Sequence, residues 1–351
     1  MVMSRSSAPP AVLAVEPPFA VPGGKISLSG SGFLRNLAAP PTVSFGEAQA
    51  AVVFASPSRL TVQVPDSASG CSDLTVATEH GSCTVGVTIA TLLSEDLHPV
   101  ANPAVDERSN VYTTLSGPRG QSVPTSLFRI DDESTLHAIS AEIMNPTGLA
   151  LDAAGNLYIS SRHDGAVYRL SPAGDLTTYA EGMGVATGLA FDENGNLYVG
   201  DRSGTIFKIA PDRQIFVFAT LEPSVAAYHL AFSPNGNLYV TGPTASSNDC
   251  VYEIDPHGVV TPWFCNLGRP QGIAFDLQGN LLVTASWRGQ RGVIRITPEK
   301  HAELVIAATS LVGLAFDPNN ALILATNQGT SGAAYFLPWN IPGYISMPEL
   351  P

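Results

Sequence analysis

The chain has 351 residues, 44% of them hydrophobic and only 13% charged, a balance that excludes a disordered protein. Its formal net charge of −13, with Lys and Arg few and scattered, excludes nucleic-acid binding through phosphates and docking on anionic membranes. Gly (32) and Pro (28) are abundant without a collagen period, which suits many short strands joined by tight turns.

The first residues, MVMSRSSAPPAVLAVEPP, hold one Arg and a short apolar stretch. A secretory signal needs an apolar region of about 7–15 residues, and a membrane helix needs roughly 20. Neither is found, so the expectation is a cytoplasmic protein or the trimmed form of an exported one, with no membrane insertion.

Residues 11–91 read as a small β-sandwich. AVEPPFAVPGGKISLSGSGF, TVSFGEAQAAVVFASPSRLTVQVP and DLTVATEHGSCTVGVTIA are short alternating strands broken by Gly, Pro and Ser. The P-x-x-x-x-G-G-x-x-x-x-x-G-x-G-F run from Pro18 to Phe33, with the Val43–Gly46 element, resembles IPT/TIG immunoglobulin-like domains. That resemblance implies an adhesive, spacing or surface module; the alternative is a domain that only packs against the rest of the chain. Residues 92–100 read as a linker.

From residue 101 to 347 one pattern repeats: NPTGLALDAAGNLYIS, VATGLAFDENGNLYVG, AAYHLAFSPNGNLYVT, RPQGIAFDLQGNLLVT and SLVGLAFDPNNALILA, after a degenerate first copy, ANPAVDERSNVYTT. The position of Gly148 recurs at Gly188, His229, Gly272 and Gly313, at intervals of about 40 residues. Each unit reads as a short apolar strand, a tight turn, a buried strand, an alternating strand such as AVYRL, a second turn and a fourth strand. Four antiparallel strands at this period make a propeller blade, so the predicted class is all-β, with six blades. No helical periodicity competes. The outer strand of the sixth blade is either Tyr344–Met347 or Val87–Leu93, with the C-terminal strand favoured.

Four cysteines are present. Cys250 and Cys265 flank a hairpin turning at Asp255–Gly258, which sets them nearly opposite and within bridging reach. Cys71 and Cys83 sit at opposite ends of another hairpin, roughly 20 Å apart at about 3.3 Å per residue, and are expected not to pair. No spacing matches a zinc site.

The motif P-x-G-L-A-x-D-x-x-G-N-L-Y-V, followed by V-Y-R-L, resembles the NHL-repeat and SMP-30/gluconolactonase-type six-bladed propellers over about residues 98–345. In the lactonases a divalent metal is held on the channel axis by carboxylate and Asn side chains, two of them typically from the residue before the inner-strand Gly. Here that residue is Thr147, Thr187, Tyr228, Gln271 or Val312, which cannot supply the charged oxygen set a hard cation prefers. No metal or other cofactor is expected, save a divalent metal under the enzyme alternative.

Function is expected on the top face, where the chain enters each inner strand, because its loops vary while the opposite turns are near-uniform. The residues converging there are Arg162, His163, Asp201, Arg202, Tyr228, His229, Arg269, Gln271, Trp287, Arg288 and Asn327. His229 stands where the other strong copies keep Gly and should point at the channel mouth, either as acid/base or ligand contact or as a hydrogen-bonded channel filler. His163 reads as solvated. Trp287 is a stacking platform or a buried anchor, and the arginines suit a carboxylate or hydroxyl-rich ligand or simply confer solubility. His98 is a remote third imidazole; His137, His257 and His301 fall on outer strands or bottom turns. Asp106, Asp152, Asp192, Asp276 and Asp317 recur as turn caps.

The leading expectation is a non-catalytic, monomeric protein whose top face binds a small polar ligand, glycan or protein partner. One alternative is an SMP-30-like hydrolase or lyase acting on a lactone or sugar-derived substrate, with His229 as catalytic candidate. The other is a purely structural scaffold.

Overall fold

The computed structural model describes residues 8–34, 39–117, 121–140, 142–246, 248–329 and 331–346. Met347, the last residue of the expected propeller, lies outside them. All regular structure among the described residues is β-strand, and no helix is long and apolar enough to cross a membrane. The chain divides into two compact units: Met1–Thr91 with Gln290–Val293 and Leu304–Thr309, and the remainder from Leu92 onward.

The first unit is a sandwich built by alternation. Lys25–Ser31 and Arg59–Gln63 bury every second side chain, and Ile26, Leu28, Leu60, Val62, Leu74, Val76 and Ile89 form the core. Ala48–Ala55 belongs to both sheets. It pairs with Thr42–Phe45 at Val43↔Ala50 and with Arg59–Gln63 at Ala51↔Gln63, bending at a bulge between Val52 and Phe54. Cys71 and Cys83 are unbonded, because the register sets Cys71 opposite Thr88 and Cys83 opposite Val76.

The second unit is a β-propeller. Five four-stranded sheets stand separately, against six expected. The strands of the repeat beginning at Arg269 are ordered Ala302–Ala307, Gln290–Ile296, Leu281–Trp287, Ile273–Asp276, but within a thirteen-stranded sheet. Parts of these strands, Gln290–Val293 and Leu304–Thr309, belong to the first unit, within which Ile306 and Ala307 pair in parallel with Phe19 and Ala20, so this edge is occupied and the sheet continues.

The closing strand also differs from the favoured expectation. Thr91–Leu97, in place of a linker, forms the outer strand of the last sheet beside Gly332–Pro338. The C-terminal segment instead pairs Gly343 and Tyr344 with Asp276 and Phe275, at the lower end of an inner strand. Gly343 is required there, since a Cβ would collide with the ring of Phe316.

Successive sheets pack through aromatic triads. Tyr158 meets Tyr179 and Phe191 edge-on, both at 4.9 Å; Tyr198 meets Phe218 and Phe232, both at 5.0 Å; and Tyr239 meets Trp263 at 5.2 Å and Phe275 at 4.8 Å. The Tyr158 and Tyr198 hydroxyls are tied to the Asp of the bottom turn. Asp192 Oδ1 accepts the amides of Asn194 and Asn196, while Oδ2 accepts Asn196 Nδ2 and Tyr198 OH. Asp106 and Asp152 repeat this clamp. Asp276 and Asp317 cap their turns through backbone amides.

Candidate functional site

At the top of the inner strands the backbones touch. A Cβ on Gly148 would collide with the Thr187 carbonyl, and one on Gly188 with the Tyr228 carbonyl. Glycine is thus demanded by close approach. Hydroxyls stitch the same level: Ser160 Oγ donates to the Thr187 carbonyl, and Thr241 Oγ1 donates to that of Gln271 at 2.5 Å. Asn102 ties the first repeat to two others, its Nδ2 donating to Ile273 O at 3.0 Å and its Oδ1 accepting Leu314 N at 3.2 Å. Below this level lies a cavity of about 170 Å³, lined by the inner strands and by Tyr344–Ser346.

His229 is buried, not presented at the mouth: it is 1% exposed, and among the described residues neither ring nitrogen has a hydrogen-bond partner. Burial alone pushes its pKa down to about 3, so it is a neutral imidazole at physiological pH. Neither an acid/base role nor a hydrogen-bonded filler role matches this environment. Tyr228 is buried too, its hydroxyl donating to the Glu222 carbonyl.

Several other expected residues are spent on holding loops. Asp201 Oδ1 accepts the Val185 amide at 2.8 Å and Oδ2 accepts the Ser203 hydroxyl. Arg202 donates to the carbonyls of Ser224 and Val225. Arg162 donates to Gly117 O at 3.1 Å, and Asn327 to Pro99 O at 2.9 Å. His163 is exposed.

Arg269, Trp287 and Arg288 lie in one repeat. Gly268 and Ser286 exchange two backbone hydrogen bonds, both 2.8 Å, in an antiparallel bridge that sets Arg269 on the Ala285 side and Trp287 on the Leu267 side. Arg288 stacks its guanidinium 4.3 Å from the Trp287 ring centroid. Arg269 and Arg288 are both exposed, and both hold left-handed backbone at φ 49°, a conformation that non-glycine residues adopt at a cost. Among the described residues neither forms a salt bridge. Gln271 is half-buried next to Gly272.

No group of three His, Cys, Asp or Glu side chains that could hold a metal occurs among the described residues. The positions preceding the inner-strand glycines carry Thr, Tyr, Gln and Val, and Thr187 and Tyr228 are already engaged through Thr187 Oγ1, which donates to Gly200 O and accepts Tyr228 N. This donor set does not fit the carboxylate-rich metal site of the lactonases. Between the two outer strands of the fourth repeat, Cys250 and Cys265 are bridged, 4.0 Å apart at Cα. His137 pairs with Asp131 at 2.6 Å, which with the Thr135 amide lowers the Asp131 pKa.

Two residues that matter were not singled out from sequence. Asn102 carries no motif. Glu253 does carry a signal: it faces Tyr239 across the strands, where Arg129, Arg169 and Lys208 face Tyr112, Tyr158 and Tyr198. It appears in the one strong copy that has Ser233 in place of the turn Asp.

Fold and site together define an all-β chain, an IPT/TIG immunoglobulin-like domain followed by a β-propeller. The IPT/TIG family matches residues 10–90. Among curated proteins none matches the chain. Among solved structures, an auxiliary nutrient binding protein from Bacteroides thetaiotaomicron aligns with 93% of this chain and 97% of its own, at 12% identity and TM-score 0.54. A candidate gluconolactonase aligns with 72% of this chain and 93% of its own, at 19% identity and TM-score 0.58. Virginiamycin B lyase from Staphylococcus aureus aligns with 70% of this chain and 97% of its own, at 13% identity and TM-score 0.52. These similarities establish the shared fold.

Proposed function

We propose that the propeller is a non-catalytic binding module whose top face takes an anionic, hydroxyl-rich small ligand such as a sugar acid. The observation that carries this reading is the stacked Trp287–Arg288 pair, with Arg288 exposed and a second exposed arginine, Arg269, next to the Gly268–Ser286 bridge of the same repeat. A guanidinium fork matches a carboxylate bidentately, and an indole offers the apolar face of a sugar ring a stacking surface. Two exposed arginines that form no salt bridge among the described residues, held in a costly backbone conformation, are better explained by a ligand than by solubility. The reading requires no cofactor. The nutrient-binding neighbour, aligned over nearly its whole length, supports binding as a use of this architecture. The hydrolase or lyase alternative is weakened because its candidate base, His229, is sealed from solvent.

Calorimetric titration with glucuronate and gluconate, with glucose as neutral control, tests the proposal. Saturable binding of an acid is expected, at least tenfold weaker in Arg269→Ala and Arg288→Ala, since one charge-assisted bond is worth about 1.5–3 kcal/mol. No binding of either acid, or turnover of gluconolactone at enzymatic rates, refutes it.

A further inference from the structure

Between the fourth and fifth repeats, at the opposite end of the propeller from Arg269, lies a cleft of about 470 Å³. Its walls are aromatic and apolar: Tyr239, Trp263, Phe275 and Leu277. Corresponding clefts lie between the first and second and between the third and fourth repeats. There the turn carboxylate sits with a base from the adjacent strand, Asp106 with Arg129 and Asp192 with Lys208. In the fourth-to-fifth cleft both positions have changed. Ser233 replaces the Asp and Glu253 replaces the base, so Glu253 is the only charged side chain among its lining residues.

Part of this exchange is structural. Glu253 Oε1 accepts Asn237 Nδ2 at 2.7 Å and Tyr239 OH at 2.8 Å, taking over the clamp that Asp performs elsewhere. Both bonds fall on one oxygen, however. Among the described residues Oε2 has no hydrogen-bond partner, and Glu253 forms no salt bridge. The nearby base, Lys300, instead holds its ammonium 6.0 Å from the Trp263 centroid, outside the set of lining residues.

We propose that this cleft is a second binding site, for an organic cation such as a primary ammonium group. Glu253 Oε2 would accept its N–H bonds while Trp263 and Tyr239 line the pocket around it. A carboxylate beside aromatic walls suits a cation on both counts, through a charge-assisted hydrogen bond and attraction to the ring quadrupole. The net charge of −13 raises the local cation concentration as well. A neutral sugar would use the same walls but gain nothing from the charge.

The test titrates the full chain with n-butylammonium chloride at constant ionic strength, with n-butanol and methyl glucoside as neutral probes. One saturable ammonium site is expected, at least tenfold tighter than either neutral probe. Glu253→Gln keeps the acceptor oxygen of the clamp and should weaken ammonium binding at least tenfold. Ser233→Asp with Glu253→Arg rebuilds the arrangement of the sister clefts, and should abolish binding while leaving the unfolding midpoint in place. Arg269→Ala should bind butylammonium like the parent, which separates this site from the top face. No saturable ammonium binding, equal binding of butanol or methyl glucoside, or unchanged affinity in Glu253→Gln overturns the proposal. Should the variants fail to fold, the comparison of ammonium with neutral probes on the parent chain decides it.

Discussion

Replacing His229 by Leu keeps a side chain of similar size and removes two buried nitrogens that have no partner among the described residues. A buried polar group left unsatisfied costs about 1–3 kcal/mol, so Leu should stabilise the propeller by about 1–2 kcal/mol at pH 7. The pH dependence is a sharper test. The folded-state pKa of about 3 lies below the ordinary histidine value of 6.5, so between these values the unfolded chain binds the proton and the folded one does not. The stability linked to His229 is therefore fully present above pH 6.5 and is lost as pH falls toward 3. From pH 6.5 to 5, where most carboxylates stay ionised, the loss is about 2 kcal/mol at roughly 1.4 kcal/mol per pH unit. Urea unfolding followed by tryptophan fluorescence reads this directly, because all three tryptophans, Trp263, Trp287 and Trp339, lie in the propeller unit. The parent should lose about 2 kcal/mol more than His229→Leu between pH 7 and 5. Equal losses, or a Leu variant less stable than the parent at pH 7, would mean that the imidazole has a hydrogen-bonding partner or reaches solvent, and would refute the reasoning.

Two further outcomes follow from the same physics. Asn102→Ala removes two side-chain bonds to other repeats, one at the nearly inaccessible Ile273. It should cost about 2–3 kcal/mol, lowering Tm by about 5–10 °C in a unit of this size, as measured by calorimetry. The Cys250–Cys265 bond closes a loop with a sequence separation of 15. Its removal in Cys250→Ser with Cys265→Ser should cost about 3 kcal/mol by urea unfolding, and reductant should lower the parent to the level of the variant.

Much of the fold was legible because strand and turn are local matters. Alternation, the recurrent Gly-Asn turn and an interval of about 40 residues are properties of adjacent residues. The capping role of the recurrent Asp could be read for the same reason, since the carboxylate bonds the amides two and four residues ahead. The site was legible only as a face. Arg162, Asp201, Arg202 and Asn327 lie in the expected loops, yet their polar atoms are used to hold those loops in place. Which of several arginines is engaged by the fold depends on which carbonyls lie within reach, and no local pattern encodes that.

The sequence by itself determined that this chain is a sandwich followed by a propeller, because burying one face of each amphipathic strand leaves few other solutions. Tertiary structure decided what the local code left open. Thr91–Leu97 and not the C-terminus completes the last sheet, the strand Ala302–Ala307 finds a partner in Phe19–Ala20, and His229 is sealed in the interior. Each depends on which edge or cavity is nearest after the repeats have closed on one another, a matter of long-range geometry and desolvation rather than of neighbouring residues.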